Sequence, residues 1–444
     1  ARPVDLTQLP VELIGHIISF LNVRDIFTRV ARVSKLLHAC ATDARFVASV
    51  VDAKTLVAAG LENSVRGLSL FLETLSNRHF VRCLLLAPGC QGMVSRKFPK
   101  LHRLCPRLET LEIPEGSSVS EVLVQNLSTF KRLKCLKLEG CHGVTETSLR
   151  SLLPDLRGLE ILCINHCPSM TPSAVHAIAE SAEKLRSLKM LGCTAGIVGD
   201  DELVSLINHC PDMEVLHLEL GDVSEIALNQ MASRWHHLRE LHVISWSPWP
   251  PATLVLLFRT CVHLVDAQLM CAGTVLSDVT FSSPHLKSLH LIGFHRIAST
   301  ILNCPKLRKL LLTQCRLVQG LYCEQLDSLD MFEARDCFFE PCHFDSLCPS
   351  IDKISLVGLR LLEVQELNFG AAVRTSIELV SCQRLASVNV VSPSLQSIRF
   401  QMCDHLTTVT LQCSRLKAVE YFSSSGKLEN FVLDSDCMEV LDLN

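Results

Sequence analysis

Reduced to hydrophobic and polar positions, the chain repeats one hexad, L-x-x-L-x-L, along most of its length. The cleanest copies are Leu133, Leu136, Leu138; Leu159, Leu162, Ile164; and Leu185, Leu188, Met190. Others open at Val81, Leu108, Met213, Leu238, Leu264, Leu286, Leu307, Leu326 and Ile351, and then at Leu395, Leu416 and Met438. The alternation within each copy has period two, which predicts a short strand with apolar residues facing a shared core and the intervening residues facing out. One such strand cannot bury its apolar side alone, so the recurrence predicts stacked coils, a solenoid.

The copies opening at 108, 133, 159, 185, 213, 238 and 264 lie about 25 to 28 residues apart, the period of leucine-rich repeats. That period leaves room for a helix after each strand. Thr171 before Pro172 reads as an N-cap with proline at the first helical position, followed by Ala174, Ile178 and Ala182 as an apolar stripe. Ser224 and Asp200 read as N-caps in the same way. From Leu286 the spacing falls to about 19 to 22 residues. Near the C-terminus, extra hexads appear out of phase at Leu385, Leu406 and Leu428, which predicts coils without helices and with a strand on each face. The expected fold is an α/β solenoid, a leucine-rich-repeat horseshoe over residues 80–444. Its strand–helix coils run to about 285, with strand-only coils towards the C-terminus.

Composition narrows the class. The chain has 444 residues, 48% of them hydrophobic, and a formal net charge of -4, which exclude a disordered chain and give no sign of nucleic-acid or membrane-surface binding. No apolar run is long enough to span a bilayer, and the N-terminus lacks a secretory pattern. An intracellular protein of cytoplasm or nucleus is expected. The 22 cysteines include no C-x-x-C, and Cys141, Cys167, Cys193, Cys315 and Cys403 each sit eight residues past the first leucine of a copy. That regularity predicts buried, reduced thiols that satisfy nearby backbone groups. Cys337, Cys342, His343 and Cys348 do not have the spacing of a zinc site, and no metal or cofactor is expected.

Residues 5–50 fall outside the repeat, with 51–79 expected as a helical linker. In this module Leu13, Ile14, Ile17, Ile18 and Leu21 are at helical spacing, and a second apolar stretch carries Ile26, Val30, Val33, Leu36 and Leu37. The segments Leu9-Pro10-Val11-Glu12-Leu13-Ile14, Ile17-Ile18-Ser19-Phe20-Leu21, Asp25-Ile26 and Val30-Ala31-Arg32-Val33-Ser34-Lys35 resemble an F-box. An F-box followed by cysteine-containing leucine-rich repeats resembles the F-box/leucine-rich-repeat proteins. Two positions depart from that pattern, where Leu37 and Phe46 stand in place of tryptophans. The resemblance implies a small all-α F-box that docks on a Skp-type adaptor and, through it, a cullin. The repeats then select the protein to be ubiquitinated, and Leu9, Pro10, Leu13, Ile17, Val30 and Val33 face the adaptor. The other reading is a scaffold or small-ligand sensor whose helical cap serves folding alone.

No G-x-S-x-G, G-x-G-x-x-G, Walker loop or H-E-x-x-H occurs, so a binding protein rather than an enzyme is expected. The residue between the second and third leucines should line the concave face, giving Lys137, Cys163, Lys189, His217, His242, Gln268, His290, Leu311, Asp330 and Ser355. The expected substrate surface runs from Lys189 to His290, with Trp246 and Trp249 of the Trp246-Ser247-Pro248-Trp249-Pro250-Pro251 turn at its rim. The basic group Arg96, Lys97, Lys100, Arg103 and Arg107 reads as a solvated face or an anion site. The chain begins at Ala1 and stops at Asn444 within a hexad, so further residues are expected beyond the ends.

Overall fold

The computed structural model describes residues 10–19, 33–41, 43, 50–52, 81–86, 98–114, 119–193, 198–317, 321–324, 329–339, 350–361, 366–370, 372–382, 384–423 and 428–443. The chain forms two compact units. One is Ala1–Met213 with His217–Glu219, the other Glu214–Leu216 with Leu220–Asn444.

Among the described residues the first unit opens on two helices, α1 (Val11–Ser19) and α2 (Lys35–Ala41). Pro10 starts α1 by offering its carbonyl to the Leu13 and Ile14 amides. Ile14 and Ile18, one turn apart, are buried against Cys40 and Ala41, with Leu36 and Leu37 packed beside them. The Leu37 amide donates to Ser34 Oγ at 3.1 Å, which caps α2.

A parallel sheet follows, in sequence order: β1 (Val50–Asp52), β2 (Cys83–Leu85), β3 (Thr110–Ile113), β4 (Cys135–Leu138), β5 (Ile161–Cys163) and β6 (Ser187–Met190). The sheet therefore starts at Val50–Asp52, across the boundary between the expected F-box module and the span 51–79 expected as a helical linker; residues 53–79 lie outside the described residues. Between the strands run α3 (Phe98–Leu104), α4 (Glu121–Asn126), α5 (Glu146–Leu152), α6 (Pro172–Ser181) and α7 (Asp200–His209). Thr171 caps α6, its hydroxyl accepting from the Ala174 amide at 3.2 Å. Asp200 is not the cap of α7. Gly199 holds that place, and its amide donates to the Glu202 carboxylate at 3.0 Å. Gly143 is obligatory here, since a Cβ on it would lie 2.4 Å from the Ser120 backbone carbon.

The division between the units falls within β7 (Val215–Leu220). In the second unit α8 (Glu225–Arg234), β8 (Glu240–Ser245), α9 (Pro251–Thr260) and β9 (Asp266–Cys271) complete the strand–helix coils. Ser224 caps α8 through the Ala227 amide. The helix is lost one coil earlier than the hexad spacing indicates, because Gln268 on β9 pairs with His290 only 22 residues on. In its place come two short strands per coil. Those of one set are β10 (Val275–Ser277), β13 (Arg296–Ala298), β16 (Arg316–Leu317), β19 (Phe338–Phe339) and β21 (Arg360–Leu361); those of the other are β11 (Thr280–Ser282), β14 (Thr300–Asn303) and β17 (Leu321–Glu324). The coils that open on β9, on Ser288–Ile292 and on Lys309–Thr313 therefore have three strands each.

The last coils have two, as the out-of-phase hexads predict. The strands β22 (Glu366–Phe369), β24 (Ser387–Val391), β26 (Thr408–Gln412) and β28 (Asn430–Asp434) form one parallel sheet. The opposite, main sheet of this unit carries β8, β9, β12 (Ser288–Ile292), β15 (Lys309–Thr313), β18 (Leu329–Arg335), β20 (Ile351–Val357), β23 (Val373–Val380), β25 (Ser397–Gln401), β27 (Ala418–Phe422) and β29 (Val440–Leu443).

The cysteine slot has a specific use. The S–H of Cys167 donates to the Leu138 carbonyl at 3.1 Å, and that of Cys193 to the Ile164 carbonyl at 3.1 Å. In the second unit Cys315, Cys337, Cys382 and Cys403 do the same to Leu291, Leu312, Leu356 and Leu379. Each acceptor is the last core position of the preceding coil's hexad, so the thiol satisfies a carbonyl that the ladder leaves open. The residue before the slot turns left-handed in coil after coil: Gly140, His166, Gly192, Gly293, Gln314, Asp336, Gly358, Ser381 and Met402. At Gly192 a Cβ would also meet His166 Nδ1 at 2.2 Å. Of the expected zinc-unlike group, Cys337 belongs to this ladder, and Cys342, His343 and Cys348 lie outside the described residues. Cys193 is half-buried rather than fully buried.

Burial raises the Cys141 and Cys167 thiols to about 12, so neither ionises near neutral pH. A thiol reagent should label exposed Cys437 in the native chain and reach Cys141 and Cys167 only after denaturation, as read by peptide mass mapping. Labelling of either at the rate of Cys437 would contradict this packing.

Candidate functional site

Two surfaces carry the sequence-derived candidates. The first is the helical pair. With Ile14 and Ile18 turned inward, the other half of the apolar stripe stays in solvent: Leu13 is 51% exposed, Ile17 45% and Val33 72%. Leu13 and Ile17 are four residues apart and so share one face of α1. Pro10 is exposed beside them, and Val11 is 39% exposed. Leu9 and Val30 lie outside the described residues. A helix whose inner face is already satisfied has no structural need for this second apolar face.

The second surface is the open face of the repeat sheets. In the first unit Glu112, Lys137, Cys163 and Lys189 follow one another in register, with Lys137 Nζ 3.0 Å from Glu112 Oε2. Lys189 is half-buried and His217 buried. In the second unit the register sets His242, Gln268, His290, Leu311 and Glu333 side by side. Glu333, not Asp330, occupies the row on β18, because the strand's core positions are Leu329, Phe332 and Ala334 rather than a hexad opening at Leu326. The row continues through Ser355, Glu378, Arg399 and Glu420, a signal the hexads at Leu395 and Leu416 contained. Here the charges satisfy one another: Arg399 lies 2.7 Å from Glu420 and 3.7 Å from Glu378, and Lys353 lies 3.8 Å from Glu378.

Upstream the face is different in kind. His242 Nε2 sits 3.8 Å from Asp266 and 3.9 Å from Glu240. A parallel row of Ile244, Met270 and Ile292 runs beside it, half-buried and apolar. Trp246, just past β8, is 61% exposed next to that ledge. Trp249 is not at the rim. It is 2% exposed, and its amide donates to the buried Thr274 hydroxyl at 2.9 Å, so it plugs the core below the turn. Proline on both sides fixes the turn so that one tryptophan enters the core and the other leaves it. Sequence reasoning missed the Ile244–Met270–Ile292 row, which only the strand register makes continuous. Of the basic group, Arg103 and Arg107 are exposed, and Arg96 and Lys97 lie outside the described residues.

His290 Nε2 is 2.9 Å from Thr313 Oγ1. Burial pushes its imidazole below the ordinary value of 6.5, opposed by the carboxylates of Glu333 and Asp266 and aided by Arg335 and His242. The folded chain therefore keeps His290 neutral where the unfolded chain takes up a proton. Its contribution to stability is present above about pH 6.5 and is lost as pH falls towards the folded value. Between about pH 7.5 and 5.5 the parent should lose more melting temperature than the His290→Gln variant; equal losses would show that His290 is not the titrating group.

Residues 6–50 match the family described as F-box-like. Among solved structures the chain is similar to a chain of the Rad7 and Elc1 complex in yeast, at 15% identity over 80% of this chain and 93% of that one, with a TM-score of 0.44. It is similar also to a leucine-rich-repeat protein of Leptospira interrogans, at 14% identity over 86% of this chain and 95% of that one, with a TM-score of 0.42. An F-box-like N-terminal domain therefore precedes a leucine-rich-repeat α/β solenoid in this chain, the domain order of the F-box/leucine-rich-repeat proteins.

Proposed function

We propose that the chain is the substrate-recognition subunit of an SCF-type cullin ubiquitin ligase. The observation that carries this reading is the doubled apolar face of α1, where Ile14 and Ile18 complete the module's own core while Leu13 and Ile17 remain for a partner. Pro10, Leu13, Ile17 and Val33 contact a Skp-type adaptor, together with Leu9 and Val30 of the same segment, and the adaptor joins the chain to a cullin. The chain supplies no catalytic group. It holds a protein substrate so that one of its lysines meets the charged conjugating enzyme at high effective concentration.

The repeats supply the choice of substrate. Lys189 and His217 in the first unit, and His242, Gln268 and His290 in the second, are each proposed as substrate contacts, with Trp246 as the second unit's aromatic anchor and Trp249 withdrawn into the core. Glu240 and Asp266 around His242, next to Ile244 and Met270, suit a segment that presents a cationic side chain beside a large apolar one.

Leu13→Ala with Ile17→Ala should weaken adaptor binding by roughly 30-fold, about 2 kcal/mol, because a few apolar anchors dominate such interfaces. Both side chains are solvated in the free chain, so its melting temperature should barely move. Unchanged co-purification of adaptor and cullin would favour the scaffold reading. Trp246→Ala should reduce substrate capture while leaving adaptor binding intact, measured by co-purification of both from the same cells. Capture at the parental level would move the site towards the Glu378–Arg399–Glu420 rungs.

A further inference from the structure

Three successive coils of the second unit place a histidine directly before the first core residue of the hexad: His237 before Leu238, His263 before Leu264 and His285 before Leu286. The three leucines are fully buried, which pins the register and holds the preceding residue at the same turn in each coil. His236 stands next to the first rung. All four imidazoles are exposed. In other coils the same position is Arg107, Arg132, Lys184 or Lys306, so it is a solvated position that packing does not reserve for an imidazole.

Stacking the coils brings these rings together across 22 to 26 residues of sequence. The centroids of His236 and His237 are 4.2 Å apart. Those of His237 and His263 are 6.4 Å apart with planes within 12°, and those of His263 and His285 are 6.2 Å apart. His285 Nδ1 lies 3.1 Å from the Val262 carbonyl, and His236 Nδ1 3.0 Å from the Arg234 carbonyl. A carbonyl oxygen only accepts, so each Nδ1 carries the hydrogen, and the neutral ring then offers its lone pair at Nε2. Anchoring of one ring nitrogen by a carbonyl is how metal-ligating histidines are oriented.

We propose that His263, paired with His237 on one side or His285 on the other and with His236 beside them, forms a surface site for a divalent transition-metal ion that prefers imidazole: zinc, nickel or copper. A metal–nitrogen distance of about 2.0–2.1 Å sets two ligating imidazole centroids roughly 5–6 Å apart, so each neighbouring pair needs only a small side-chain rotation to share one ion. His263 belongs to both pairs and is the indispensable ligand. Water or a donor group of a docked protein fills the remaining positions. The site shares no residue with the proposed adaptor and substrate surfaces and does not depend on them.

The test is calorimetric titration of nickel into the full chain carrying Cys437→Ser, which removes the thiol that is exposed among the described residues as a competing ligand. A bound equivalent is expected that His263→Ala weakens by about tenfold or more, since His263 is the ring that both inter-coil pairs share. The double variant His237→Asn with His285→Asn removes both rings that stack against His263 and should weaken it equally, which covers the case in which one variant folds poorly. His405 precedes Leu406, and in the sequence Arg384 and Lys427 precede the first core residue of the flanking hexads, so His405→Ala should leave the equivalent unchanged. Copper titration followed by electron paramagnetic resonance should show nitrogen coupling in the parent that the double variant reduces. Identical nickel isotherms for the parent, His263→Ala and the double variant would overturn the site, as would an equal loss in His405→Ala.

Discussion

Each coil of this solenoid can bury its apolar side chains only against the coils above and below it, because a single strand and its return segment have no interior of their own. The buried leucines of each hexad therefore fix more than stability. Pairing Leu241 with Ala267 and Leu289, or Leu310 with Phe332 and Ile354, sets the register of every residue between them. A slip of one residue would turn the core positions outward, at a cost of about 2 kcal/mol for each large side chain exposed. The outward rows that read His242, Gln268, His290 or Ile244, Met270, Ile292 are consequences of that pinning.

The end of each strand faces a second demand: the backbone must turn without orphaning a carbonyl in the core. A left-handed residue makes the turn, and the next residue's thiol donates back to the preceding coil. Left-handed backbone costs a non-glycine residue about 1 kcal/mol, and His166, Gln314, Asp336, Ser381 and Met402 accept it because their amides gain a carbonyl partner in the next coil. A small, weakly polar thiol suits the slot better than an amide side chain, whose unused donors would be buried. Where Trp246 takes the slot, that device is absent and the side chain projects into solvent.

The same logic of satisfied and unsatisfied faces separates structure from binding. Ile14 and Ile18 bury against Cys40 and Ala41, and Leu13 and Ile17 stay exposed among the described residues of the module. On the repeats, the Glu378–Arg399–Glu420 rungs neutralise one another, whereas the His242 to His290 rungs pair histidine with carboxylate beside an apolar ledge. A rung whose charges already pair has less to offer a new charged partner, which is why the upstream rungs are the ones proposed to bind.

Sequence alone determined the repeat, its parallel strands, the helices of the early coils and their loss later, and the burial of the cysteine slot. These follow from periodicity, which each residue carries locally. The two strands per coil near the C-terminus were legible because their hexads are complete. The three strands of the middle coils were not, because β16 and β19 are two residues each, too short for any period to show. The Leu326 frame missed Glu333 because two overlapping hexads compete in that segment and only pairing with Leu311 chooses between them. Sequence likewise offered Leu13, Ile14, Ile17 and Ile18 as one stripe and Trp246 and Trp249 as one turn. Which member of each went inside was decided by tertiary contact, since a hydrophobic side chain is equally suited to a core and to an interface until its neighbours are in place. The histidine rungs depend on the same stacking: residues 22 to 26 apart become neighbours only when one coil lies on the next.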